Sequence, residues 1–279
     1  MIQISIHPLV ETLAVARQAQ LTAIRNWLAQ QSAVVVAYSG GVDSTLVAAL
    51  AAEQLLDRAE AVTGVSPALA PSLQQEARWQ AEWLGMRQRE IATQELKDPN
   101  YSSNPENRCY FCKRELHDLL SQLAGSALVL DGVNKDDQGD HRPGLLAAAE
   151  YEVVSPLLKF GVDKQGVREI SRALGFPWWD KPAQPCLASR FPYGEPVSAT
   201  RLHRVAKAEE LLKNLGFRRL RVRCQGDTAR IELPPEQLEV ILKLKKRQEL
   251  VEQFLALGFT AVSVDLEGLV SGKLNRSLS

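Results

Sequence analysis

The chain has 279 residues, 33 basic residues balanced by 33 acidic ones, and an apolar fraction of 45%. That length holds one large α/β domain with a smaller companion, and the cancelled charge argues against a protein whose main business is gripping nucleic acid through a broad basic face. No apolar run reaches membrane-spanning length, and Met1 to Val10 lacks the basic start and small-residue cleavage site of a signal peptide, so a cytoplasmic protein with no membrane partner is expected.

In chain order, Val10 to Gln30 carries a loose apolar stripe through Leu13, Leu21, Ile24 and Leu28 and reads as one helix. Ala33 to Ala37, with its three valines, reads as a buried parallel strand, and Thr45 to Leu56 as the helix that follows it. Glu60 to Ser66 is a second strand, Pro71 to Leu84 its covering helix, and Arg87 to Ala92 a shorter third strand. The polar stretch Asp98 to Arg108 reads as a loop that delivers Cys109 and Cys112 to the start of a helix running through Gln122. Ala127 to Asp131 and Glu152 to Ser155 are two further strands, and Asp163 is an N-cap for a helix to Leu174. This alternation predicts an α/β fold with a doubly wound parallel sheet and ligands at the carboxyl ends of its strands. Phe176 to Pro196 holds five prolines, which forbid a continuous helix and mark a boundary. Beyond it, a helix over Ser198 to Leu215, a hairpin of Arg218 to Cys224 with Thr228 to Leu233, a long helix over Pro235 to Leu257 and a strand over Thr260 to Asp265 suggest a small α+β domain. The expected division is 1–180, a Pro-rich linker at 181–197, and 198–279.

Between the first strand and its helix stands Ser39-Gly40-Gly41-Val42-Asp43-Ser44. The glycines let a ligand approach the main chain, and the helix start favours an anion, so the segment is a phosphate cradle. It is not a Walker A loop, because no lysine lies between Ala33 and Arg58, so no ammonium waits there for β- and γ-phosphates. The Rossmann fingerprint fails for want of its third glycine. The segment resembles the pyrophosphate loop of ATP pyrophosphatases, whose sheet is of the adenine nucleotide alpha hydrolase-like type. That resemblance implies that Ser39, Gly40, Gly41, Val42, Asp43 and Ser44 bind ATP, with Asp43 placing magnesium. A Gly-rich turn of some other α/β protein is the alternative.

Cysteines stand at 109, 112, 186 and 224. In a reducing compartment metal binding, catalysis or burial must account for them. Cys109 and Cys112 have the spacing that seats a metal or lowers a thiol pKa, but a zinc ribbon needs a second pair that this chain lacks. Cys186, followed by Ser189 and Arg190, is a candidate reacting or cluster-holding sulfur, with hole-filling beside Leu187 as the alternative.

Taken together, the phosphate loop, Cys109-Tyr110-Phe111-Cys112-Lys113, the carboxylate-rich loop from Asp131 to Gly144 and Pro185-Cys186-Leu187-Ala188-Ser189-Arg190 resemble the LarE family. These are ATP-dependent sulfur transferases of nickel-pincer nucleotide cofactor biosynthesis. The resemblance implies that ATP adenylates the carboxylates of pyridinium-3,5-biscarboxylic acid mononucleotide and that sulfur then replaces AMP to give thiocarboxylates. One branch of the family sacrifices a single cysteine at the Cys186 position, leaving dehydroalanine. Another holds a [4Fe-4S] cluster on three cysteines, and this chain has Cys109, Cys112 and Cys186 in those places, so the cluster branch is favoured. Cys224 falls outside the pattern and reads as structural.

The mononucleotide phosphate needs cations, and Arg221 and Arg223 on one strand face, with Ser189 and Arg190, are the candidates. A solvated basic surface is the alternative for the arginines. Glu232 binds metal or pairs with an arginine. Asp131, Asn134, Asp137 and Asp140 serve ribose or magnesium, or form a solvated turn. The four histidines, at 7, 117, 141 and 203, show no ligand spacing, and Trp178 and Trp179 stack on a base or pack the domain junction. A sulfur-donor protein and a homo-oligomer complete the expected partners. The nearest rival is a tRNA thiolase, which the neutral charge disfavours.

Overall fold

The computed structural model describes residues 8–139, 143–270 and 272–278. A 3-10 turn at Pro8–Thr12 precedes α1 (Val15–Ala29), β1 (Val34–Ala37), α2 (Val42–Leu55), β2 (Ala59–Val65), α3 (Pro71–Leu84) and β3 (Gln88–Ala92). A helical turn, α4 (Pro99–Ser102), and α5 (Arg108–Ala124) lead to β4 (Leu128–Leu130), α6 (Gly144–Glu150), α7 (Pro156–Lys159) and α8 (Lys164–Ala173). Then come a 3-10 turn at Leu187–Arg190, α9 (Ala199–Asn214), β5 (Arg221–Gln225), β6 (Thr228–Glu232), α10 (Pro235–Leu242), α11 (Arg247–Ala256) and β7 (Ala261–Val264). No described helix is long and apolar enough to cross a membrane.

The chain divides into two compact units. One comprises the described residues of Met1–Ser66, Pro71–Glu95 and Cys109–Gln184, and the other those of Pro67–Ala70, Leu96–Arg108 and Pro185–Ser279.

In the first unit four strands form a parallel sheet in the order β3-β2-β1-β4. β1 is buried on both faces, which is why it holds no polar residue. Val34 and Val36 pack with Ile24, Leu50 and Ile170 of α1, α2 and α8, while Val35 and Ala37 pack with Leu120 of α5 on the other side. The chain leaves β1 for β2 on one side and returns to β4 on the other. Such a reversal opens a crevice at the carboxyl ends of β1 and β4, where ligands of doubly wound sheets bind.

In the second unit β5 and β6 are antiparallel, and β7 runs parallel to β6. Val222, Cys224, Ala229 and Ile231 are buried, and α9 lies against β5 with its own Leu202, Val205 and Leu212 buried. The alternate positions, Arg221, Arg223, Arg230 and Glu232, share the opposite face.

The helical N-cap at Asp163 is observed, its carboxylate accepting from Gly166 N at 2.7 Å. Four elements differ from expectation. The helix over Val10 to Gln30 breaks before α1, because the Gln18 amide donates to the Leu13 carbonyl at 2.8 Å and Arg17 N turns to Ala14. The strand over Glu152 to Ser155 shrinks to one bridge between Leu130 and Val154, since Glu152 has a left-handed φ of 52° and Pro156 already opens α7. The loop after Asp98 contains α4, capped by the Asp98 side chain on Asn100 N. The long helix from Pro235 splits into α10 and α11, the first closing at Leu242 with Lys243 as its cap.

Candidate functional site

Tyr38 to Gly41 carry the chain from β1 to α2 across the carboxyl end of the sheet. Gly40 has φ +69°, and a Cβ there would come within 2.9 Å of Ala77 Cβ, so only glycine fits. The Ser39 and Ser44 hydroxyls lie 3.0 Å apart, Gly41 N donates to Ser39 Oγ at 3.3 Å, and Ser39 N donates to Ser44 Oγ at 3.2 Å. Hydroxyls and main-chain N–H groups thus converge at the start of α2, which suits an anion. A lysine from outside the loop does reach its carbonyl side. Lys181 Nζ stands 3.0 Å from the Gly40 carbonyl oxygen and 2.9 Å from Glu76 Oε2, brought there by tertiary folding across 141 residues.

Asp43, in the first turn of α2, meets the loop that follows β4. Asn134 Nδ2 donates to Asp43 Oδ1 at 2.9 Å, and Asn134 N donates to Asp137 Oδ2 at 3.0 Å. Gly132 makes this approach possible, since a Cβ there would fall 2.6 Å from Ser44 N. Asp131 accepts from Ser155 Oγ at 2.6 Å and from Val133 N at 3.1 Å. Burial pushes the Asp43 carboxyl above its ordinary pKa, with the Asn134 hydrogen bond opposing and the charge of Asp137 adding to the rise. Asp131 is raised in the same way, by burial first. Hard carboxylate oxygens gathered beside a phosphate cradle fit a magnesium ion, which takes one or two such ligands beside substrate phosphates. Asp140 and His141 lie outside the described residues.

Cys109 and Cys112 sit in the opening turns of α5, three residues apart and so on one side of the helix, Cys109 exposed and Cys112 half-buried. Thiolate sulfurs at a helix start fit an iron–sulfur cluster in kind. They are two donors, and Cys186 belongs to the second unit. Among the described residues no group of three or more His, Cys, Asp or Glu side chains stands ready to hold a metal ion.

In the second unit, half-buried Cys186 caps the 3-10 turn at Leu187–Arg190. Arg190 braces this turn, its Nη1 donating to Pro185 O at 2.8 Å and to Ser189 Oγ at 3.0 Å, while its Nε lies 2.8 Å from Glu209 on α9. Arg223 pairs with fully buried Glu232 at 3.0 Å and donates to Ser189 O at 2.6 Å. Glu232 therefore takes an arginine. Arg221 stands opposite Glu232 in register, yet among the described residues it has no hydrogen bond or ion pair, and burial followed by repulsion from Arg223 and Arg190 pulls its pKa down. Arg190, Arg221 and Arg223 converge, two balanced by carboxylates and one not.

Cys224 is buried, its thiol 3.3 Å from Gly226 O. Trp178 is buried in the first unit with Phe176, Trp79 and Trp83 around it, and Arg172 lies over Trp179. Lys181, Glu76, Gly132 and Glu209 join the site only through tertiary contacts. Lys181 is the one lysine between Phe176 and Pro196, and Glu209 is one charged helix residue among several; neither position points in sequence to its partner.

The family model for asparagine synthase matches residues 16–100. A pyridinium-3,5-bisthiocarboxylic acid mononucleotide synthase of Lactiplantibacillus plantarum is 37% identical over 250 residues, covering 88% of this chain and 90% of that one. An uncharacterized protein of Synechocystis is 50% identical over 94% of this chain and 99% of its own length. A third relative, an uncharacterized protein of Methanocaldococcus jannaschii, is 27% identical over 84% and 89% of the two chains.

Proposed function

This chain belongs to the LarE family of PP-loop enzymes, and from that premise we propose that it uses ATP to convert the carboxylates of pyridinium-3,5-biscarboxylic acid mononucleotide into thiocarboxylates. The observation that carries the reading is the 37% identity, over nearly the whole chain, with the synthase of the bisthiocarboxylic product. In the proposed reaction a substrate carboxylate oxygen attacks the α-phosphorus of ATP. The new oxygen–phosphorus bond forms as the bond to the β-phosphate oxygen breaks, and pyrophosphate leaves. A sulfur nucleophile then attacks the acyl carbon, and AMP departs with the former carboxylate oxygen. The second carboxylate is treated likewise.

The residues divide this work. Ser39, Gly40, Gly41, Val42 and Ser44 would cradle the pyrophosphate, and Asp43 and Asp137, both bonded to Asn134, would hold magnesium. Ser189, Arg190, Arg221 and Arg223 take the mononucleotide phosphate; Arg221 meets it directly, because Glu209 and Glu232 already balance the other two guanidiniums. Cys109, Cys112 and Cys186 would hold a [4Fe-4S] cluster, which when bound would supply sulfide for the transfer. We assign nucleotide chemistry chiefly to 1–180, sulfur chemistry to Cys186 of the Pro-rich linker at 181–197 together with the C-x-x-C, and substrate binding chiefly to 198–279, in a cytoplasmic homo-oligomer fed by a sulfur-donor protein.

The test is to give the anaerobically purified chain magnesium-ATP, sulfide and the mononucleotide. Pyrophosphate and AMP release, with oxygen replaced by sulfur in the product by mass spectrometry, is expected. Pyrophosphate release that responds to tRNA and not to the mononucleotide would overturn the reading in favour of a tRNA thiolase.

A further inference from the structure

We propose that Lys181 is a positioning residue of the nucleotide site: its ammonium holds the Gly40–Gly41 peptide in the one orientation that turns the Gly41 N–H into the pyrophosphate cradle. The proposal rests on the reading of this loop as the ATP site.

A trans peptide is planar, so its C=O and N–H point in opposite directions, and fixing one aims the other. Here the Gly40 carbonyl accepts from Lys181 Nζ at 3.0 Å, and on the far side the Gly41 N–H donates to Ser39 Oγ at 3.3 Å. Two successive glycines leave this plane nearly unrestrained by side-chain sterics. Its orientation is then set by hydrogen bonds, a long one to Ser39 within the loop and the charged one from Lys181 outside it. The Lys181 side chain is 10% exposed and ion-paired with Glu76 at 2.9 Å, so its charge is balanced within the protein and not presented to a phosphate as a Walker lysine would be. Its backbone is anchored too. Lys181 N donates to the Trp178 carbonyl at 3.0 Å, Trp178 is buried among aromatic rings, and Pro182 restricts the residue before it.

The experiment titrates magnesium pyrophosphate, magnesium ATP and, separately, AMP into the full chain and into Lys181→Met and Lys181→Arg by calorimetry. Loss of a hydrogen bond to a charged donor predicts about tenfold weaker pyrophosphate binding in Lys181→Met. AMP affinity is expected unchanged, a split that general loosening of the fold would not produce, and Lys181→Arg is expected to restore pyrophosphate binding. Should Lys181→Met fail to fold, Lys181→Gln takes its place, since its amide is one atom too short to reach Gly40. Pyrophosphate affinity equal to that of the native chain in the folded variant overturns the positioning role. A native chain that binds neither magnesium pyrophosphate nor ATP overturns the reading of the loop itself, which separates the two failures.

Discussion

Asn134 reaches across 91 residues of sequence to donate from Nδ2 to Asp43 Oδ1 at 2.9 Å, joining the first turn of α2 to the loop after β4. That bond holds a carboxylate at the phosphate cradle against burial and against the charge of Asp137. A group held so is an unstable one until a cation arrives.

For Asp43 the pH linkage has a definite sign. A folded pKa above the ordinary 3.8 means that the fold binds the proton more tightly than the unfolded chain does. The stabilising contribution is present below 3.8 and is lost as pH rises through the folded value, so ionised Asp43 costs stability at neutral pH. Asp43→Asn is expected to raise Tm at neutral pH by about 2–4 °C, the worth of roughly 1 kcal/mol in a chain of this size, while abolishing pyrophosphate release. Calorimetry across a pH series checks it: the gain should shrink as pH approaches 3.8.

Arg221 and Arg223 share a strand face and should behave in opposite ways. Arg223→Ala leaves Glu232 charged, fully buried and without its partner, at a cost of about 3–5 kcal/mol. Arg221→Gln removes a guanidinium repelled by its neighbours, so urea unfolding should show no loss, whereas KM for the mononucleotide should rise at least about tenfold. Equal destabilisation by the two variants would contradict the assignment of Arg221 to the substrate.

His117 on α5 is buried, and neither ring nitrogen has a hydrogen-bond partner among the described residues. Burial, with help from nearby Lys113, pushes its pKa down from 6.5 to about 3. The fold therefore favours the neutral ring, and its stabilising contribution is complete above pH 6.5 and lost progressively as pH falls from there toward about 3. His117→Leu should flatten the stability curve in that window and cost little above it, which thermal melts at stepped pH will show.

Iron and acid-labile sulfide per chain, measured on anaerobically purified protein, should approach those of one cubane cluster and vanish in Cys186→Ala. Cys224→Ala should keep both at a stability cost of about 1 kcal/mol, because that thiol is buried in the second unit's core side and bonded to Gly226 O. Iron-free protein in which Cys186 becomes dehydroalanine after turnover would replace the cluster with the sacrificial route.

Much of this protein is written locally. Three valines, a Gly pair and a small-residue helix specify a buried strand, a phosphate cradle and the packing of α2, because each step depends on neighbours within a few positions. The Asp163 cap and the β5–β6 hairpin are legible for the same reason. Patterns of period and propensity fail where a local signal meets a tertiary competitor. Glu152 to Ser155 has the residues of a strand, but a left-handed Glu152 and the helix start at Pro156 leave room for a single bridge.

Which charges remain available was decided by the tertiary structure alone. In sequence Arg190, Arg221 and Arg223 are all candidate cations and Glu232 a possible partner of an unspecified arginine; that Glu232 takes Arg223, and Glu209 on α9 takes Arg190, appears only in the folded chain. Likewise no feature of the loop foretells that Lys181 will meet the Gly40 carbonyl. Ion pairs are selected by distance in the folded molecule, and that distance is set by packing of elements far apart in the chain. The sequence determined the elements and the chemistry they carry; folding determined which carboxylate each cation meets and which cation is left for substrate.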